Sequence, residues 1–163
     1  MAFKDLLSWY KKNQRQLPFR QTTSPYKIWV AEIMLQQTQV VTMLPYYERF
    51  IHKFTTVEAL AKVSFEEVLP YITGLGYYRR FRLMHQAAQV IFNHYGGQFP
   101  NTYQDVRALP GIGEYTAGAI MSTAFKQPYS ALDGNVMRVL TRLYMIDDDI
   151  RKNTTIKPMI EEV

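Results

Sequence analysis

Two glycines around one apolar residue, followed at once by a run of small residues at helical spacing, constrain this chain more than any other stretch. The run is Leu109-Pro110-Gly111-Ile112-Gly113-Glu114-Tyr115-Thr116-Ala117-Gly118-Ala119-Ile120. Glycine tolerates positive φ and lets another backbone come close, so Gly111 and Gly113 suit a tight hairpin. The helix that follows, read as Tyr115–Phe125, then starts with backbone N–H groups that have no partner inside it. Free N–H groups and the helix dipole together favour an anion at that end. Taken alone, the same pattern also fits an ordinary glycine-rich connection between helices.

A second constraint is a single charge. Ser24-Pro25 reads as a helix start, with Ser24 as N-cap and Pro25 in the first turn. Between Lys27 and Glu48 the only charged residue is Glu32, set in Trp29-Val30-Ala31-Glu32-Ile33-Met34-Leu35. Ile28, Trp29 and Leu35 share its helical face. A carboxyl group among such neighbours is expected to be partly buried, which raises its pKa and favours the protonated acid. The alternative is a structural glutamate bonded to a helix end or to an arginine. Gln36-Gln37-Thr38-Gln39 then interrupts the apolar pattern. A further helix is expected to about Phe54, with Pro45 starting a new segment or kinking it.

Gly74-Leu75-Gly76-Tyr77-Tyr78-Arg79-Arg80-Phe81-Arg82 is a second Gly-x-Gly turn, and it holds the densest mixture of tyrosine and arginine in the chain. Arginine neutralises phosphate and an aromatic ring wedges into a base stack, so the cluster suits a nucleic-acid surface. A solvated helix face over core tyrosines is the other reading. Downstream, Asp133 in Leu132-Asp133-Gly134-Asn135-Val136 reads as the N-cap of a helix over Gly134–Tyr144. Helix N–H groups are expected to keep it ionised, which would push its pKa away from that of Glu32.

Composition narrows the field. An excess of five positive charges fits a polyanionic partner, though weakly. Zero cysteines exclude disulfides, zinc–thiolate sites and a thiolate-held cluster within these residues. His52, His85 and His94 lack short ligand spacing, so no metal site is expected. No unbroken apolar run is long enough for a membrane span. The first residues lack a signal-peptide pattern, which makes a cytoplasmic protein the default. No strand pair or repeat appears, so the fold class is all-α. Asp147-Asp148-Asp149 reads as a turn, Thr154 or Thr155 as the start of a last helix, and the stop at Glu161-Glu162-Val163 as a truncation.

Five stretches in order resemble the adenine DNA glycosylase branch of the helix–hairpin–helix glycosylase superfamily. They are Leu17-Pro18-Phe19-Arg20, Ile28 to Val40, Gly74 to Tyr78, the hairpin, and Leu132 to Leu140. The resemblance implies a helical-bundle lobe over 21–132 and a partial second lobe built from 1–20 and 133–163. It implies removal of adenine mispaired with 8-oxoguanine or guanine, in double-stranded DNA, by a monomeric bacterial protein. Enzymes that act on a base extrude it from the duplex first.

By the same resemblance, Glu32 is the general acid for the adenine and Asp133 stabilises the oxocarbenium-like sugar. Tyr115 and Asn135 hydrogen-bond around the two carboxylates. Gln37 and Tyr77 enter the duplex beside the oxidised guanine, with Leu35, Thr38 and Leu75 lining that side. Gly111, Ile112 and Gly113 hold phosphate through the hairpin, and Arg20 joins the DNA-binding set. Strand-nicking relatives carry a Schiff-base lysine at the position of Tyr115, so a phenol there implies a glycosylase without lyase chemistry. The alternatives are a glycosylase/lyase and a DNA-binding fragment without turnover. Phe19 stands where the family usually has tryptophan. The family's 4Fe-4S cluster is expected only if a cysteine-bearing C-terminal extension exists, and the domain that helps read 8-oxoguanine has no counterpart in these residues.

Overall fold

The computed structural model describes residues 2–147, and the expected last helix and the Asp148-Asp149 part of the expected turn lie outside them. Among the described residues the chain is helical, without strands: α1 Ala2–Asn13, α2 Pro25–Leu35, α3 Val40–Lys53, α4 Val57–Ala61, α5 Phe65–Val68, α6 Arg79–Tyr95, α7 Tyr103–Ala108, α8 Glu114–Thr123 and α9 Gly134–Leu143. Short 3-10 turns at Pro18–Arg20 and Leu69–Tyr71 complete it.

The α2 helix forms the centre. Ser24 accepts from the Lys27 N–H, and Pro25 supplies a preset φ at the first turn. Because α2 is apolar on nearly every side, it is wrapped by α8, α3 and α6. Seven of its eleven residues are buried. Trp29, fully buried, meets the Phe99 ring edge-on at 5.5 Å.

Local signals set most boundaries. Thr56 caps α4, and Ser64 with Glu67 forms a complete capping box at α5. Gly96 ends α6 in the left-handed conformation, φ 60°, with its N–H on the Ile91 carbonyl. Pro45 neither starts nor ends a segment: α3 continues through it, held by the burial of Met43, Tyr47 and Phe50 on one face.

One contact fixes α8 against the segment that leads to α9. A Cβ added at Gly118 would collide with the Ser130 backbone carbonyl. Neither backbone can give way cheaply, so Gly118→Ala is expected to cost about 2–3 kcal/mol, the upper part of the range for overpacking. Chemical denaturation checks this, and an unchanged midpoint would mean that the 128–132 segment moves freely.

The main core runs from Leu17 to Met121. The first and last helices stand apart from it. On α1, Leu6, Leu7, Trp9 and Tyr10 are exposed, and on α9 so are Val139 and Leu143. No helix among the described residues is long and apolar enough to cross a membrane.

Candidate active site

A cleft of about 400 Å³ opens where α2, α8 and the 3-10 turn before α2 meet. Glu32, Arg20, Phe19, Leu35 and Tyr115 line it, together with Tyr10 of α1, Thr123 and Lys126. Glu32 lies three-quarters of the way along α2, so its carboxyl group leaves an apolar helix at the wall of this cleft.

Burial raises the Glu32 pKa above its ordinary value. The Tyr115 phenol opposes the shift as a hydrogen-bond partner, the negative charge of Asp133 adds to it, and the Arg20 guanidinium opposes it. The Tyr115 hydroxyl is itself pushed upward, first by burial and then by the charges of Glu32 and Asp133. It therefore stays an O–H donor throughout the neutral range. The Glu32 carboxyl is thus held toward its protonated form.

Asp133 caps α9 as expected. Its Oδ1 accepts from the Asn135 N–H at 3.0 Å and the Val136 N–H at 2.8 Å. Its Oδ2 accepts from the Asn135 side-chain amide at 3.1 Å. Asn135 so orients this carboxylate, and Tyr115 feels the charge of both carboxylates.

The hairpin divides its glycines by function. Gly111 has φ +76° and its added Cβ would meet Leu83 Cβ at 2.7 Å, so its need for glycine is internal. Gly113 is different: it is extended (φ −87°, ψ 176°), and an added Cβ would meet nothing within 4 Å. The expectation that both glycines serve the turn's backbone is corrected here. Helix α8 starts at Glu114, one residue earlier than its sequence suggests, and its first intrahelical N–H is that of Ala117 on the Gly113 carbonyl. The amides before it have no intrahelical carbonyl to bond. Ile112 is buried, and its carbonyl accepts from Arg107 Nη1 at 2.9 Å, a brace that no local pattern around Arg107 signals.

Gln37 and Tyr77 sit on two neighbouring turns, and both are exposed non-glycines with positive φ, +56° and +46°. Such conformations are uncommon for side-chain-bearing residues and cluster at working sites. Leu35 and Thr38 are half-buried beside Gln37, whereas Leu75 is turned into the core. Tyr78 ties its own turn, its hydroxyl accepting from the Gly74 N–H at 3.0 Å. The aromatic–basic cluster is also smaller than its sequence suggests, because Arg80 is buried and only Arg79 and Arg82 are exposed. Lys126, at φ +57°, reaches the Glu32 cleft without any signal in its neighbours Phe125 and Gln127. Among the described residues no group of histidine and carboxylate side chains could hold a metal ion.

Among the described residues an all-α frame carries a glycine hairpin, two turns with left-handed non-glycines and two carboxyl groups with Tyr115 as a common neighbour, the arrangement of a helix–hairpin–helix protein. Residues 30–161 match the HhH-GPD superfamily of base excision DNA repair proteins, and the chain belongs to that superfamily. Adenine DNA glycosylase of Buchnera aphidicola subsp. Baizongia pistaciae is 42% identical over 146 residues, covering 89% of this chain and 42% of that protein. The Homo sapiens adenine DNA glycosylase is 44% identical over 153 residues, covering 88% of this chain and 28% of that protein. The chain therefore spans less than half the length of these relatives. A thermostable thymine-DNA glycosylase superposes with TM-score 0.78 at 31% identity, covering 83% of this chain and 63% of the other. An endonuclease III–DNA complex, 24% identical, shares the fold with TM-score 0.77.

Proposed function

We propose that this chain is the catalytic portion of an adenine DNA glycosylase that removes adenine opposite 8-oxoguanine or guanine. The observation that carries the reading is Glu32, whose pKa burial raises, sharing a cleft with Tyr115 and within the charge of an Asp133 that caps α9. Two carboxyl groups in unlike environments suit an acid and an anionic partner.

In this reading the extruded adenine enters the cleft, and Glu32 donates a proton to its N7 as the N-glycosidic bond breaks. Positive charge develops on the sugar, and the Asp133 carboxylate stabilises it until water adds. Tyr115 donates to Glu32 once that carboxyl has lost its proton, and Asn135 fixes the Asp133 rotamer. Gln37 and Tyr77 fill the space that the base leaves, and the amides before Ala117 hold a backbone phosphate. The machinery draws on both expected lobes: Glu32, Gln37, Tyr77 and Tyr115 fall within 21–132, and Asp133 and Asn135 just beyond it. No cysteine is present to ligate the family's iron–sulfur cluster, so these residues do not fit that group and no step depends on it.

Gly113 supplies a separable prediction. Gly113→Ala keeps φ, ψ and packing, and the lost glycine N-cap is offset by the reduced entropy of the unfolded chain, so the melting temperature should stay close to the parent's. Its added methyl stands where the phosphate approaches, and duplex affinity is expected to fall roughly tenfold or more, the value of one charge-assisted hydrogen bond. Filter binding or fluorescence anisotropy reads the difference, and an unchanged affinity would remove the hairpin from the DNA interface.

The reaction class is tested by incubating the chain with a duplex holding one A opposite 8-oxoguanine, with and without borohydride. Free adenine without a covalent adduct is expected. A trapped protein–DNA adduct would instead identify amine chemistry and a glycosylase/lyase.

A further inference from the structure

Arg80 is the buried arginine of the aromatic–basic cluster, and the proposed function leaves it unused. It stands in the first turn of α6 and is 3% exposed. Its Nη2 donates to Thr38 Oγ1 at 2.9 Å, on the turn after α2, and to the Leu75 carbonyl at 3.5 Å, on the Gly-Leu-Gly turn. Thr38 in turn donates to the Gln36 carbonyl at 3.4 Å. A single guanidinium thus ties together two turns that lie far apart in the chain.

Those are the turns that hold Gln37 and Tyr77 in left-handed backbone conformations. Non-glycines stay in that region only when their surroundings over-determine them. The Arg80 guanidinium lies over the Phe81 ring and near that of Tyr77, at 4.7 Å and 5.9 Å from the centroids. Its Nε and Nη1 have no hydrogen-bond partner, and among the described residues no carboxylate pairs with it. A buried cation without a carboxylate partner costs stability. Stability alone gives no reason for arginine here, since an apolar side chain of similar volume would fill the same space without that cost.

We propose that Arg80 is a positioning residue for base extrusion: its guanidinium sets the spacing between the turns that present Gln37 and Tyr77 to the duplex. The proposal rests on the glycosylase reading for what the turns do, but the bridge itself exists without DNA. Both bonds leave the same nitrogen, Nη2, and the planar guanidinium at the end of a buried stem fixes the place of that nitrogen between the two turns.

The test pairs hydrogen exchange in the free protein with extrusion on DNA. Thr38→Val removes the acceptor at constant shape, Thr38→Ser restores it, and Arg80→Met removes the fork. In Thr38→Val and Arg80→Met, the Thr38 and Leu75 amides, which bond to the Leu35 and Ile72 carbonyls, are expected to exchange roughly tenfold faster while α2 and α6 keep their protection. Thr38→Ser should match the parent. With a duplex carrying 2-aminopurine opposite 8-oxoguanine, the same two variants should lose fluorescence enhancement, and Arg80→Met, whose changed side chain is buried, should keep its affinity. Thr38→Val keeps the test alive if Arg80→Met does not fold. Parental exchange at both amides, or faster exchange across the whole chain, would overturn the proposal. A parent that binds the duplex without enhancement would count against the glycosylase reading instead, while the exchange result still decides the bridge.

Discussion

Glu32→Gln is expected to slow base release by roughly 10²–10⁴-fold, the usual contribution of a positioned general acid, with duplex affinity close to the parent's. Glutamine keeps the volume and the hydrogen-bonding capacity of the side chain but has no proton to transfer. Stability should move the other way. A carboxyl group whose folded pKa lies above its unfolded value of 4.5 binds more protons folded than unfolded between those two values. Its contribution is fully present below the unfolded pKa and is lost as pH rises through the folded one. The parent therefore loses stability across that window and Glu32→Gln does not. Each tenfold difference in proton affinity is worth about 1.4 kcal/mol, which urea titrations at several pH values can resolve. A variant that cuts as fast as the parent would remove Glu32 from the mechanism.

The second large effect belongs to Asp133, where two substitutions separate charge from capping. Asparagine is as good an N-cap as aspartate, so Asp133→Asn should retain α9 and most of the stability. It removes the negative charge that faces the developing cation, and excision is expected to fall roughly 10²–10³-fold. Asp133→Ala loses the cap as well and should destabilise by about 1 kcal/mol. Circular dichroism melts and single-turnover rates read the two quantities separately. If Asp133→Asn and the parent release base equally fast, Asp133 is only a cap.

The residues from which these effects follow were legible for a physical reason: each is an exception within a local pattern. Glu32 is a lone charge in an apolar helix, and Asp133 precedes a helix whose first turn has free N–H groups. Ser24-Pro25, Ser64-Phe65-Glu66-Glu67 and Gly96-Gly97 likewise mark helix boundaries by capping chemistry that needs no tertiary information. Arg80 was not legible. It sits in a run of three arginines whose members look alike until the turn after α2 closes over one of them. Gly111 and Gly113 were equally indistinguishable, since the sequence does not say that only Gly111 faces Leu83. Lys126 reaches the cleft through a left-handed φ in a segment without glycine, and Leu75 enters the core although Gly74 before it and Tyr77 after it are exposed. In each case the deciding neighbour lies elsewhere in the chain.

The central claim is that Glu32 drives excision as a protonated acid at the adenine. Single-turnover cleavage of a duplex with one A opposite 8-oxoguanine tests it most directly, followed across pH with an alkaline step and with A:T and A:G duplexes alongside. Strand breaks should appear only after alkali, at the mispaired adenine, at a rate that falls as pH rises through the elevated Glu32 pKa. Breaks without alkali, or a bound duplex that yields none, would contradict it.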